Sequence, residues 1–220
     1  MELLTTVFDV FMRTYPGFLE ATLMTLKITA VALVFGTILG LVFALMKISR
    51  SKILQTIANL YITIIRGTPL IVQIMFLYFG ITQLIVLSGF WAGAIALAIH
   101  NGAYIAEIFR GAIQGIDRGQ REASSSLGMT RAQSMRRIVF PQALKRSIPP
   151  LGNQFIITLK DSSLVYIISV PELFAMANRE AAQSYQSLET FLVVGVYYLV
   201  LVMIFTYLLK LYENKLNVDK

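Results

Sequence analysis

The side chains in this 220-residue chain that could act on a solute sit inside apolar sequence. Arg66, His100, Glu107, Lys160 and Asp161 lie in stretches otherwise dominated by Leu, Ile, Val, Phe and Ala. A charge in such a stretch is costly unless it meets a partner or water, so each marks an internal ion pair, a helix interface or a path for something polar. His100, Tyr104, Glu107 and Gly111 recur at helical spacing on one narrow arc, with Asn101 beside them, and such an arc points inward. His100 reads as part of a hydrogen-bonded helix interface, and Glu107 as a path residue or its gate. Lys160 and Asp161 are neighbours and diverge by about 100° on a helix, so they cannot share a partner facing one way. Covalent and metal chemistry fit poorly. With no Cys and one His, only isolated Ser and acid pairs are left as candidates. The same counts exclude disulfides and Cys/His zinc sites. No G-x-x-x-x-G-K-[ST] stretch occurs, so the chain itself is not expected to hold ATP.

The elements that must position these groups are helices in a membrane. The chain is 56% hydrophobic and 14% charged, against about 25% charged for a soluble domain, which reads as one all-α integral membrane domain over residues 1–220. A stripe of Leu3, Leu4, Val7, Phe8 and Phe11 predicts a short interfacial helix over residues 1–14, ended by a turn at Tyr15-Pro16-Gly17. No cleavable leader is read in it. Five transmembrane helices follow: Phe18 to Ile48, Leu54 to Val86, Phe90 to about Ile113, Pro149 to about Val170, and Leu188 to Leu211. Lys27, near the start of the first, either snorkels to the interface or faces a cavity.

The second span would be about 50 Å long if fully helical, more than a ~30 Å core requires. Arg66-Gly67-Thr68-Pro69 supplies a break, because Pro69 has no N–H for the carbonyl of Ile65 and Gly67 adds freedom. Broken backbone at membrane depth is tolerated only inside protein or along a water-filled cavity. A simple packing kink is the alternative. Pro171 to Glu189 is read as leaving the membrane. Basic residues set the orientation: fourteen Lys and Arg fall in the segments assigned inside and two, Arg13 and Arg179, outside. That places the N-terminus outside and the C-terminus in the cytoplasm, and accounts for the net charge of +7.

The longest polar stretch, from about 115 to 147, predicts two short helices. One carries Glu122 to Leu127; the other begins at Thr130, whose hydroxyl can cap the amides of Arg131 to Gln133. Gly128 is the hinge, able to take the left-handed backbone that ends a helix, and Pro141 marks where the second helix kinks or stops.

With Glu122, Ala123, Ser124, Gly128, Ile138, Phe140 and Pro141 in register, this stretch resembles the EAA loop of ABC importer permeases. Ser124 and Phe140 depart mildly from the family's Ala and Leu. Arg66 to Leu70, with Val72 and Gln73, resembles the polar amino-acid branch, as do Asn101 to Ile113 and the Lys-Asp-Ser-Ser-Leu of Lys160 to Leu164. The resemblance runs from Tyr15 to Asn214. It implies a permease that docks its loop, through Glu122, Ala123, Ser124, Gly128, Ile138 and Pro141, on a separate ATPase holding ATP and Mg. It further implies a second permease subunit, homo- or heterodimeric, two ATPase subunits and an extracytoplasmic amino-acid-binding protein in the bacterial cytoplasmic membrane.

A zwitterionic amino acid needs an acceptor for its ammonium and donors for its carboxylate. Asp161, Glu107, Arg66, Tyr104, Asn101 and Ser163 are the expected path residues, with Asp161 first for the ammonium or else paired with Arg66 or Lys160. Cationic, glutamine/glutamate and cystine cargo all fit; Val170 to Phe174 leans towards cystine. An ion-coupled secondary amino-acid transporter is the competing class, and an intramembrane enzyme a third. Neither explains the loop.

Overall fold

Where apolar sequence leaves the backbone only itself to bond with, it forms helix. The computed structural model describes residues 2–81 and 84–216, and no strand occurs among them. Lys220, counted above in the inner tail, and Thr82 and Gln83 of the second span lie outside the described residues.

The first helix, α1, runs unbroken over Glu2–Lys47 with Pro16 inside it. The separate interfacial helix and the turn at Tyr15-Pro16-Gly17 are therefore absent. Packing explains the difference. Val10 before the proline and Phe18 and Ala21 after it join one buried cluster with Leu173, Ala177, Val193 and Val194, so both halves are held on one line. Arg13 adds an ion pair to Glu180 at 2.8 Å. A single missing amide does not outweigh these contacts.

Helix α2 spans Lys52–Gly67 and α3 spans Leu70–Met75, running on as a π-helical turn over Phe76–Gly80. The two rods meet at 106°, too sharp for a packing kink, and the break falls at the predicted residues. Helix α4, Gly89–Gln114, lies closely against α1. Gly36 and Gly40, four residues apart, face it: a Cβ at Gly40 would sit 2.6 Å from the Ile105 side chain and 3.0 Å from the Gly102 carbonyl. Small residues at this spacing let helix backbones approach where lipid supplies no hydrophobic drive.

Helix α5, Arg118–Ser126, and α6, Arg131–Ser134, are the two loop helices. Helix α6 passes through a π turn, Met135–Val139, directly into α7, Phe140–Asp161, which continues as a 3-10 turn over Ser162–Ile168. Pro149 and Pro150, read as the start of a span, lie within α7, so the helix itself begins nine residues earlier, at Phe140. Pro141 does not stop the helix, which runs from α6 through the π turn and on across Pro141 into α7. Helix α8, Leu173–Ser184, was not foreseen, and α9 covers Ser187–Leu216. Among the described residues α1, α4 and α9 are each long and apolar enough to cross a membrane, and the bent pair of α2 with α3 and its π turn qualifies together. Helix α7, carrying Lys160 and Asp161, does not qualify by length and composition.

Candidate functional site

The break in the second span is built around Gln73. Pro69 orphans the carbonyl of Ile65, and Gln73 Nε2 takes it up at 2.9 Å while also reaching the Thr68 hydroxyl at 2.9 Å. The Thr68 hydroxyl donates in turn to the Ile64 carbonyl at 2.9 Å. The Gln73 Oε1 meets Nδ1 of His100 at 3.2 Å, and the guanidinium of Arg66 lies 5.0 Å over the ring of Tyr104. One polar cluster therefore joins the break to the α4 arc. Arg66, Gly67, Thr68 and Pro69 are exposed on the face of the chain, whereas His100 and Tyr104 are half-buried.

The remaining predicted path residues separate into three places. Asn101 is fully buried, and its Oδ1 accepts from Gln154 at 2.7 Å and from Thr158 at 2.8 Å. It fastens α4 to α7 and lines no path in this structure. Glu107 is clamped between Lys47 at 2.7 Å and Arg110 at 2.7 Å, so its charge is already committed to tying α1 to α4. Asp161 and Ser163 are half-buried at the far end of α7, and no ion pair reaches Asp161 within 4.0 Å among the described residues. The alternative pairing with Arg66 or Lys160 is thus not found. The 3-10 turn after Asp161 packs through Val165 in one cluster with Leu70 and Ile74 of α3. With α4 and α7 level at Asn101 and Thr158, Glu107 lies six residues one way and Asp161 three the other, about 14 Å apart at 1.5 Å per residue. These two acids do not form one site.

A hollow of about 740 Å³ at the α8 end is lined by Glu20 and Arg179 with Tyr166, Ser169 and Asn178, and holds none of the predicted path residues. Beside it Glu172, missed in the sequence, is completely buried. It caps α8 by accepting from the amides of Phe174 and Ala175 at 2.8 and 2.7 Å, and from the Tyr198 hydroxyl at 2.9 Å. Burial pushes its carboxyl up to about 7 against the pull of these donors. Its work in this structure is to cap α8 and fasten it to α9.

In the loop, α5 ends as expected. Gly128 takes a φ of 74°, its amide bonds to the Ser125 carbonyl at 3.0 Å, and the Met129 amide reaches back to Ser124 at 3.1 Å, which closes the Schellman pattern. Thr130 then caps the Gln133 amide at 3.3 Å, while Gln133 bonds back to the Thr130 amide at 2.8 Å. Glu122, Ala123 and Gly128 are exposed, as is Pro141, with Ile138 half-buried. Ser124 faces the other way: it is buried, 2.6 Å from the Ser134 hydroxyl, and pins α5 to α6. The departure from the family triplet thus serves the inside of the loop.

An apolar helix pair broken at Arg66 to Pro69 with a polar cluster at the break, beside helices long and apolar enough to cross a membrane and an exposed two-helix loop, fits a membrane-embedded transport subunit. The profile described as binding-protein-dependent transport system inner membrane component matches residues 36–218, and the chain belongs to that family. It is an integral membrane protein, the permease component of an ABC importer. Curated relatives are amino-acid permeases. The chain is 39% identical to the arginine transport system permease protein ArtQ of Bacillus subtilis, over 92% of this chain and 93% of that one. It is 36% identical to the glutamine permease GlnP of Escherichia coli K12, over 92% and 94%. Among solved structures it superposes on an amino acid ABC transporter crystallised with histidines at a TM-score of 0.90, with 41% identity over 94% of this chain and 98% of that one. Nothing in these comparisons supports the ion-coupled alternative.

Proposed function

We propose that the chain carries a polar amino acid across the bacterial cytoplasmic membrane as one half of a permease pair. The observation that carries this reading is the exposed break. Irregular, polar backbone does not face lipid at membrane depth, yet Arg66 to Pro69 lie on the open face of the single chain. A second permease subunit, identical or similar, and a water-lined path between the two would cover it. Five spans per subunit, with the N-terminus outside and the loop of about 115–147 in the cytoplasm, give the path its direction.

Asp161, with Ser163 beside it, offers an acceptor for the substrate ammonium. Arg66 and the opened backbone at Gly67 and Thr68 offer donors for the carboxylate. Tyr104 holds Arg66 in place. Glu107, tied to Lys47 and Arg110, acts as a gate between α1 and α4 rather than as a ligand. The arginine, glutamine and histidine attached to the relatives' names are all polar amino acids, and an unpaired acid such as Asp161 favours a cargo with a strong positive centre.

Energy enters through the loop. Glu122, Ala123, Gly128, Ile138 and Pro141 form the face that docks on an ATPase subunit, which holds ATP and Mg. Two such ATPases drawn together by ATP would move both loops and open the spans towards an extracytoplasmic binding protein. The test is purification in mild detergent of tagged wild type beside Gly128→Asp. A Cβ at Gly128 meets nothing within 4 Å, and the strain of a non-glycine residue in its left-handed backbone, about 1–2 kcal/mol, is confined to the loop, so the variant is expected to stay in the membrane. The expected result is an ATPase that co-purifies with wild type and is lost or uncoupled in the variant. Wild type that brings no ATPase under any gentle condition, while driving uptake from an ion gradient in vesicles, would overturn the reading.

A further inference from the structure

Three hollows of about 410, 280 and 430 Å³ adjoin where the end of α1 meets the loop, sharing Arg131 and Met135 in their walls. Lys47, Arg50, Arg121 and Arg131 line them, together with Ser49, Ser125 and Ser134, and no Asp or Glu does. Lys47 is spoken for by Glu107. Arg50, Arg121 and Arg131 have no carboxylate within 4.0 Å among the described residues. Arg121 donates through Nη2 to the Ile113 carbonyl at 2.8 Å, but its Nε is buried without a partner. Three cations and an unfilled donor around one space call for an anion. None of the residues assigned to the ATPase-docking face lines these hollows.

The apolar side of the same place identifies the anion's carrier. The outermost hollow is also walled by Leu45 and Ile48. From Leu45 an exposed stripe climbs α1 through Val42, Ile38 and Val34 at one helical face, each more than two-fifths exposed. Ile38 and Val42 then line an apolar groove of about 430 Å³ between α1 and α4. Ten residues of α1 separate Leu45 from Phe35 in that groove, about 15 Å, the reach of an acyl chain. A basic cup continuous with an apolar track is the shape of a phospholipid at a membrane surface. We propose that Arg50, Arg121 and Arg131 bind the phosphate of an anionic phospholipid whose acyl chains lie along α1. The orientation proposed above enters only in assigning the inner leaflet; lipid retention reads out the same on either side.

The test uses the assembled transporter, purified from membranes in mild detergent and extracted for lipid analysis. Wild type is compared with Arg50→Gln/Arg131→Gln, and with Arg136→Gln/Arg137→Gln as a control that removes the same charge from an exposed part of the loop. Wild type is expected to retain phosphatidylglycerol over phosphatidylcholine, and the first variant to lose roughly tenfold of that enrichment while the control keeps it. Equal loss in the control would reduce the effect to general surface charge and overturn the site. Absence of enrichment in wild type would overturn it whatever the variants do. In delipidated protein, inorganic phosphate that raises the thermal midpoint and displaces phosphatidylglycerol at millimolar concentration would assign the cup to a free anion, overturning the lipid.

Discussion

Asp161 and Glu107 are two acids in apolar helices, and the structure gives them opposite circumstances. Glu107 is neutralised by two cations, whereas Asp161 has none within ion-pair reach among the described residues. Asp161→Asn keeps the shape and removes the charge. It is expected to lower uptake at least tenfold while the assembled complex still hydrolyses ATP, and uptake assays beside ATPase assays in proteoliposomes separate the two. Unchanged uptake would leave Asp161 a structural role only. Glu172 gives a prediction in stability. Its folded value, raised from 4.5 to about 7, means the folded chain holds a proton that the unfolded chain has released. Stability is therefore greatest below about pH 4.5 and falls as pH rises through 7, by about 3 kcal/mol at most. Thermal unfolding in detergent between pH 5 and 8 should show the midpoint dropping in wild type. Glu172→Gln should lie lower throughout, because its amide faces donors, and should lose most of that slope.

At the scale of elements, the most extensive helix contact among the described residues is α1 on α4. A leucine at position 40 would drive its Cβ into Ile105 and the Gly102 carbonyl. Overpacking of this kind costs about 1–3 kcal/mol, so Gly40→Leu should lower the thermal midpoint and separate the helices that Lys47 and Glu107 join, whereas Gly195→Leu on α9, with nothing within 4 Å, should be neutral. A midpoint unchanged in Gly40→Leu would refute the close approach.

The elements also explain what could be read in advance. The break at Arg66 to Pro69 was legible because proline and glycine act locally, and the orphaned Ile65 carbonyl followed from Pro69 alone. Its acceptor's partner, Gln73, was not, because eight residues and a 106° bend separate them in a way only the fold decides. Pro16 was overread for the converse reason: packing on both sides of it outweighs one lost amide. The loop's hinge at Gly128 and cap at Thr130 followed from local backbone chemistry. That Ser124 turns inward, and that Asn101 is consumed by Gln154 and Thr158, depended on partners ten and more than fifty residues away. Periodicity set Asn101 beside the arc without saying what it would meet, and the family likeness that named Ser124 does not say which way it turns.

For the whole molecule the decisive quantity is direction. An importer whose ATPase lies in the cytoplasm requires α5 and α6 on one side and the turn between α8 and α9 on the other, and the excess of Lys and Arg near the loop predicts which is which. The chain offers a clean test because it contains no Cys, so a single introduced thiol reports alone. Arg118 is exposed at the start of α5, and Tyr185 is 92% exposed beyond the end of α8. In intact cells a membrane-impermeant maleimide should label Tyr185→Cys promptly and leave Arg118→Cys untouched until the membrane is permeabilised. The opposite pattern would put the docking loop where no ATP is available, and would remove the mechanism by which ATPase closure reaches the break at Arg66 to Pro69. Labelling of both in intact cells would show that the loop is open to the outside. Labelling as expected fixes the exposed break between an outer hollow lined by Glu20 and Arg179 and an inner end closed by Lys47 and Glu107, which is the order a substrate must meet them on the way in.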